Sequence, residues 1–139
     1  MSLVPRHRGV LLVAGIALAA TGQYACMGAC DIFTPTKRLP GPYRLVLFES
    51  ELYYLERESE INQPAGVVGG SIDAIGWTQK YIVARRHGML GGSGWMIVSV
   101  QSGRVEGPLT DDEWIARQAK EPDLGAIMTQ PVSDAWKKL

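Results

Sequence analysis

The sequence predicts an α+β protein: a small antiparallel β-sheet with one or two C-terminal helices, preceded by an N-terminal signal or anchor helix. Three observations predict it. Residues 71–77, 80–86 and 94–100 are successive segments rich in branched and aromatic side chains, the types that pack well on a pleated surface. Thr110-Asp-Asp-Glu113 sets a hydroxyl and a carboxylate at the spacing of a helix capping box. Residues 9–30 form a run of 22 without a charged side chain, directly behind Arg6 and Arg8.

The elements follow in chain order. Residues 1–30 read as an export signal or membrane anchor, because a basic start, an apolar stretch and then small residues are the layout of an export segment. The cationic end stays in the cytoplasm, so the remainder is expected outside it. Residues 31–42 carry Pro35, Pro40 and Pro42 and predict an extended, Pro-rich tether rather than a helix. Residues 43–139 are expected to form one β-rich extracytoplasmic domain, with 109 residues after Cys30 giving enough chain for a single core.

Within that domain, residues 43–48 and 52–57 predict a hairpin broken by Glu49-Ser50-Glu51. Residues 61–70 read as loop, then a short Gly-Val-Val-Gly-Gly piece. The three strands of the middle follow, the last two joined by a glycine-rich loop from His87 to Gly94. The capping box then opens a helix to Lys120, with Leu109 and Trp114 at the staple positions and Pro122 beyond its end. In the tail a short helical turn is expected over residues 133–138.

Composition narrows the functional classes. Hydrophobic residues make up 46% and charged residues 20%, ordinary for a globular protein. Formal net charge is zero, but removing Arg6 and Arg8 from the 14 basic residues leaves 12 against 14 acidic. A domain of that sign has no electrostatic reason to seek nucleic acid.

Three fates fit the N-terminal segment. Met27-Gly28-Ala29-Cys30 resembles a bacterial lipobox, whose cysteine becomes the acylated N-terminus. Cys30 is therefore the expected lipidation site; Cys26 is less suited, since Gln23 and Tyr24 precede it where small residues are required. Ala20-Thr21-Gly22 offers a site for ordinary signal cleavage. Left uncleaved, the 22 uncharged residues would span roughly 30 Å as a helix, enough to cross a bilayer. Asp31, directly after Cys30, is similar to the inner-membrane retention signal of enteric-type lipoproteins. The two cysteines lie within five residues of each other, and a disulfide between them would close a loop too short to stabilise much.

Gly76-Trp77, Lys80-Tyr-Ile-Val-Ala-Arg85, Gly94-Trp-Met-Ile-Val98 and Ser102-Gly-Arg-Val-Glu-Gly-Pro-Leu-Thr110 together resemble a group of small bacterial lipoproteins. The resemblance covers roughly residues 77–114. It implies a cell-envelope location, facing the periplasm or the outside, and implies nothing about chemistry.

No catalytic or metal constellation stands out in the sequence. His87 is the one histidine after residue 30, and both thiols lie in the N-terminal segment, so no zinc site of the usual N/S type and no cofactor is expected. Glu49, Glu51, Glu56, Glu58 and Glu60 lack the spacing of a calcium loop and read as a solvated strand edge. The loop after His87 is glycine-rich but leads into a strand, whereas a phosphate cradle needs a helix. Tyr53 and Tyr54 alternate across a strand, and with His87 and Trp95 they are the residues expected to meet a protein partner. The expectation is a membrane-anchored, non-catalytic interaction module, in one form immunity- or inhibitor-like. An accessory subunit of a membrane complex with an uncleaved helix and an enzyme using His87 as base are the alternatives.

Overall fold

The computed structural model describes residues 34–58, 66–88 and 92–139. Cys26, Cys30, Asp31 and Glu60, and the N-terminal helix expected before residue 31, lie outside the described residues. Among the described residues no helix is long and apolar enough to cross a membrane.

Among the described residues, twelve elements fall into two antiparallel sheets and three short helices, with one 3-10 turn. Sheet 1 has the order β1-β2-β3: β1 is Thr36–Arg38, β2 Tyr43–Phe48 and β3 Leu52–Arg57, with a 3-10 turn at Glu49–Glu51 between the last two. Sheet 2 has the order β7-β6-β5-β4-β8, built from β4 Ser71–Trp77, β5 Tyr81–His87, β6 Gly94–Ser99, β7 Val105–Leu109 and the two-residue β8 Gln130–Pro131. Helices α1 Asp111–Lys120, α2 Pro122–Gly125 and α3 Val132–Lys138 complete the chain. The α+β class holds, with two sheets where one was expected.

The middle strands explain why the sheets pack as they do. In β5, Ile82, Val83 and Ala84 are all fully buried, and in β6 Trp95 to Val98 are buried without a gap. Successive strand residues point to opposite faces, so a continuous apolar run requires cover on both. One face carries Ile72, Ile75, Ile82, Ala84, Met96 and Val98, and packs against Tyr43, Leu45, Tyr53 and Leu55 of sheet 1 and Val132 and Ala135 of α3. The other carries Val83, Trp95 and Ile97, and packs against Trp114 of α1, Leu124 of α2 and Ile127. Each fully buried Ile or Val stabilises by about 1.5–3 kcal/mol. Sheet 2 is the middle layer of three.

Within the extended, Pro-rich tether expected over residues 31–42, the described part holds a paired strand. Thr36–Arg38 pairs with β2, Leu47 N–H donates to the Pro35 carbonyl at 3.0 Å, and Leu39 is buried. The prolines sit outside the paired residues, where they cost no ladder bond.

The acidic residues also separate. Glu49, Glu51 and Glu58 are exposed, but Glu56 is 5% exposed and pairs with Arg44 directly across the ladder, Nη2 to Oε2 at 3.0 Å. The solvated-edge reading fails for Glu56, because a cation on the neighbouring strand compensates its burial.

α1 begins where the capping box placed it. Thr110 Oγ1 accepts from Glu113 N–H at 3.2 Å and Glu113 Oε2 accepts from Thr110 N–H at 2.8 Å. The Thr110 amide, and after it the Thr110 hydroxyl, act on the Glu113 carboxyl and hold it below its ordinary value. The tail returns to sheet 2 because Gly76 lets it come close: a Cβ there would lie 2.6 Å from the Met128 carbonyl oxygen and 2.8 Å from Ile127 Cγ2. Gln130 and Pro131 then pair with Ile75 and Ala74.

Candidate functional site

The two ends of β5 carry two different polar constellations, about six residues or 20 Å apart along the strand. The first is built by an irregularity in β4. Ile72 pairs with Arg86 and Ala74 with Arg85, so Asp73 is the extra residue of a bulge. A bulge re-aims its side chain. Here Asp73 reaches Arg85, whose Nε donates to Oδ1 at 2.9 Å and Oδ2 at 3.2 Å, and His87, whose Nε2 lies 2.6 Å from Oδ2. An ionised carboxylate only accepts, so the proton between them sits on His87 Nε2. His87 is 63% exposed in its side chain, Asp73 32%.

Electrostatics follow the contacts. Burial pushes the Asp73 carboxyl up, but the hydrogen bonds and charges of Arg85 and His87 together outweigh it and hold it below the ordinary 3.8. The same Asp73 bond raises Arg85. The Arg85 guanidinium also lies 5.4 Å from the centroid of the Trp95 ring, a cation–π contact. Trp95 in turn donates from Nε1 to Asp111 Oδ1 at 2.7 Å and stacks on Trp114 at 5.6 Å. Arg85 is thus fixed from two sides. Around it opens a groove of about 420 Å³ lined by Arg85, Arg86, His87, Ser93, Leu109 and Asp111, and beside it a hollow of about 230 Å³ between Asp73, Trp95 and Gln130.

The second constellation lies at the Tyr81 end. Arg117 Nη2 donates to Glu106 Oε2 at 3.0 Å and lies 3.8 Å from Glu121 Oε2, while Arg104 Nη2 lies 3.3 Å from Glu106 Oε1. Tyr81 donates its hydroxyl to Glu121 Oε1 at 2.6 Å, a bond that raises its pKa. These groups line a cavity of about 270 Å³. Its two arginines and two glutamates balance, which suits a structural brace between β7, α1 and β5.

Of the four residues expected to meet a partner, His87 and Trp95 belong to the first constellation, joined through Asp73 and Arg85. Trp95 takes part as a buried support, not as a surface: it is 6% exposed. Tyr53 is likewise buried, at 9%, and packs edge-on against Trp136 at 5.7 Å. Both corrections have the same cause: a second layer covers the face that one sheet alone would have left open. Tyr54 points to the other face of β3 and is half-buried. Tyr53 and Tyr54 do not approach the groove. Asp73, Arg85 and Asp111 were not singled out in the sequence; Arg85 and His87 share a face at spacing two, but their acidic partner depends on a bulge.

Among the described residues no group of three or more His, Cys, Asp or Glu is placed to hold a metal ion. Comparison with protein-family models, with curated sequences and with solved structures finds no match.

Proposed function

We propose that this chain is a non-catalytic binding module held at the cell-envelope membrane by its N-terminus, and that the Arg85–His87 groove receives an acidic segment of a protein partner. The observation that carries the second half is the fixed Arg85: a guanidinium oriented by Asp73 and by the Trp95 face, beside an exposed imidazole. A preorganised guanidinium loses little side-chain freedom on meeting a carboxylate, which it recognises with directed donors. Arg85, Arg86 and His87 line the groove with Asp111, and Asp73 stands in the hollow beside it, so the groove has no negative excess. The first half is supported by the basic start, the 22 uncharged residues and the lipobox-like Met27–Cys30.

Two measurements test the reading. Intact mass of the protein from membranes is expected to show a diacylglyceryl group on Cys30 with residues 1–29 gone. A full-length product would point to the accessory-subunit alternative with a transmembrane helix, and a soluble cytosolic product would end the envelope reading. A photo-crosslinker at Ser93 is expected to capture one membrane-associated protein, lost on Arg85→Glu and weakened by salt. Capture that Arg85→Glu leaves unchanged would refute the groove. Should His87→Ala abolish a turnover rather than a complex, the enzyme alternative replaces this one.

A further inference from the structure

We infer that the tip of the β2–β3 hairpin, Phe48 with Leu52, rests in the headgroup layer of the membrane that holds the N-terminus, so that the Tyr81–Arg117 cavity faces away from it. This rests on the anchored reading above and adds an orientation to it. The geometry begins with β1. It runs antiparallel to β2, with Thr36 opposite Val46 and Leu47 bonded to the Pro35 carbonyl, so the chain enters sheet 1 at the hairpin-tip end. Four residues lie between Cys30 and Pro35, and an extended chain covers at most about 3.4 Å per step, or about 17 Å over the five steps. With a lipid on Cys30, or a membrane helix ending there, Pro35, which is bonded to Leu47 beside the tip, would be within that reach of the bilayer surface.

The tip has the composition for such a contact. Phe48 and Leu52 are cross-strand partners, 48% and 44% exposed, on a sheet whose neighbouring positions Val46 and Leu55 are buried. Of the other exposed large apolar residues among those described, Val105 is on β7 and Ile115 on α1, while Met128 and Leu139 lie outside any helix or strand. Glu49 and Glu51 flank the pair on the turn and are exposed. Carboxylates do not enter hydrocarbon, so they limit the tip to headgroup depth, and they favour zwitterionic over anionic lipid.

The opposite end of sheet 1 sits against the β6–β7 turn. A Cβ on Gly103 would lie 3.1 Å from Arg57 Nη1, and one on Gly41 2.6 Å from Val100 Cγ1. Ser102 and Arg104, at the rim of the cavity, are therefore one strand length from the tip, about 17 Å.

The test uses the full chain with Cys26→Ser, reconstituted in phosphatidylethanolamine–phosphatidylcholine vesicles containing a nitroxide lipid. A small fluorophore is placed on Leu52→Cys or on Ser102→Cys, and mass confirms that Cys30 carries no dye. The label at 52 is expected to be quenched at least about three-fold more than the label at 102, as for a group in the interface. Adding Phe48→Glu, or replacing a third of the lipid with phosphatidylglycerol, is expected to reduce that difference. Equal quenching in protein that floats with the vesicles overturns the orientation and leaves the anchor intact. Protein that does not float overturns both. Protection of position 52 in native membranes but not in vesicles assigns the tip to a protein and overturns the lipid contact.

Discussion

The Arg44–Glu56 pair makes a quantitative prediction about how the two partners differ. At 3.0 Å, an effective dielectric of about 20 gives an attraction of about 5 kcal/mol, before the cost of desolvating both groups. The side chains are not equally deep: Glu56 is 7% exposed and Arg44 22%. Removing the cation with Arg44→Met strands a carboxylate that water hardly reaches, which costs about 3–5 kcal/mol. Removing the anion with Glu56→Gln leaves a guanidinium that can turn toward water, and the discounted cost is about 2 kcal/mol. The Arg44→Met, Glu56→Leu double variant keeps volume and loses both charges, so it is expected within about 1 kcal/mol of the parent. Urea titration of the full chain in non-ionic micelles, read by tryptophan fluorescence, gives the cycle from the parent, Arg44→Met, Glu56→Leu and the double variant, with Glu56→Gln as the isosteric single. If Glu56→Gln proves as costly as Arg44→Met, or the coupling falls below about 0.5 kcal/mol, the claim that burial of Glu56 depends on Arg44 is refuted.

Thr110→Ala removes one half of the capping box and is expected to cost about 1 kcal/mol, seen as a fall of about 4–8 °C in Tm; an unchanged Tm would show that α1 is held by Trp114 packing alone. Asp73→Asn is expected to cost about 0.5–1 kcal/mol at pH 7, small because Asp73 is a third exposed. The folded Asp73 titrates below 3.8, so its contribution is complete above that value and is lost as pH falls through the lower, folded one. Parent and Asp73→Asn stabilities should therefore converge in acid, and a gap that widens there would reverse the sign. Gly76→Ala drives a methyl group into the Met128 carbonyl and Ile127, and is expected to cost about 2–3 kcal/mol. Faster amide exchange confined to residues 126–138 would locate the damage at β8 and α3, and protection equal to the parent would refute the close approach.

Legibility in the sequence followed the range of the interaction. β2, β3 and β4 have the expected bounds, β5 and β6 shift by a residue at their ends, and α1 starts at its capping box. Those signals are local: branched and aromatic runs, a polar break, a hydroxyl three residues before a carboxylate. β1 and β8 were not expected, since each is a short edge segment with prolines beside or within it that is a strand only because a partner strand is there. Within the candidate site, His87 and Trp95 stood out by residue type. Their assembly did not, because Asp73 reaches Arg85 and His87 through a bulge between paired strands.

The sequence by itself determined where β2, β3, β4, β6 and the capped helix begin, and that the chain opens with a basic, then uncharged, segment. Tertiary structure alone decided which acidic residue is buried, that Tyr53 and Trp95 serve the interior, and that Arg85 and His87 share one carboxylate. The reason is physical. Propensity and capping act over a few residues, whereas burial and ion pairing depend on which distant segment supplies the opposite wall.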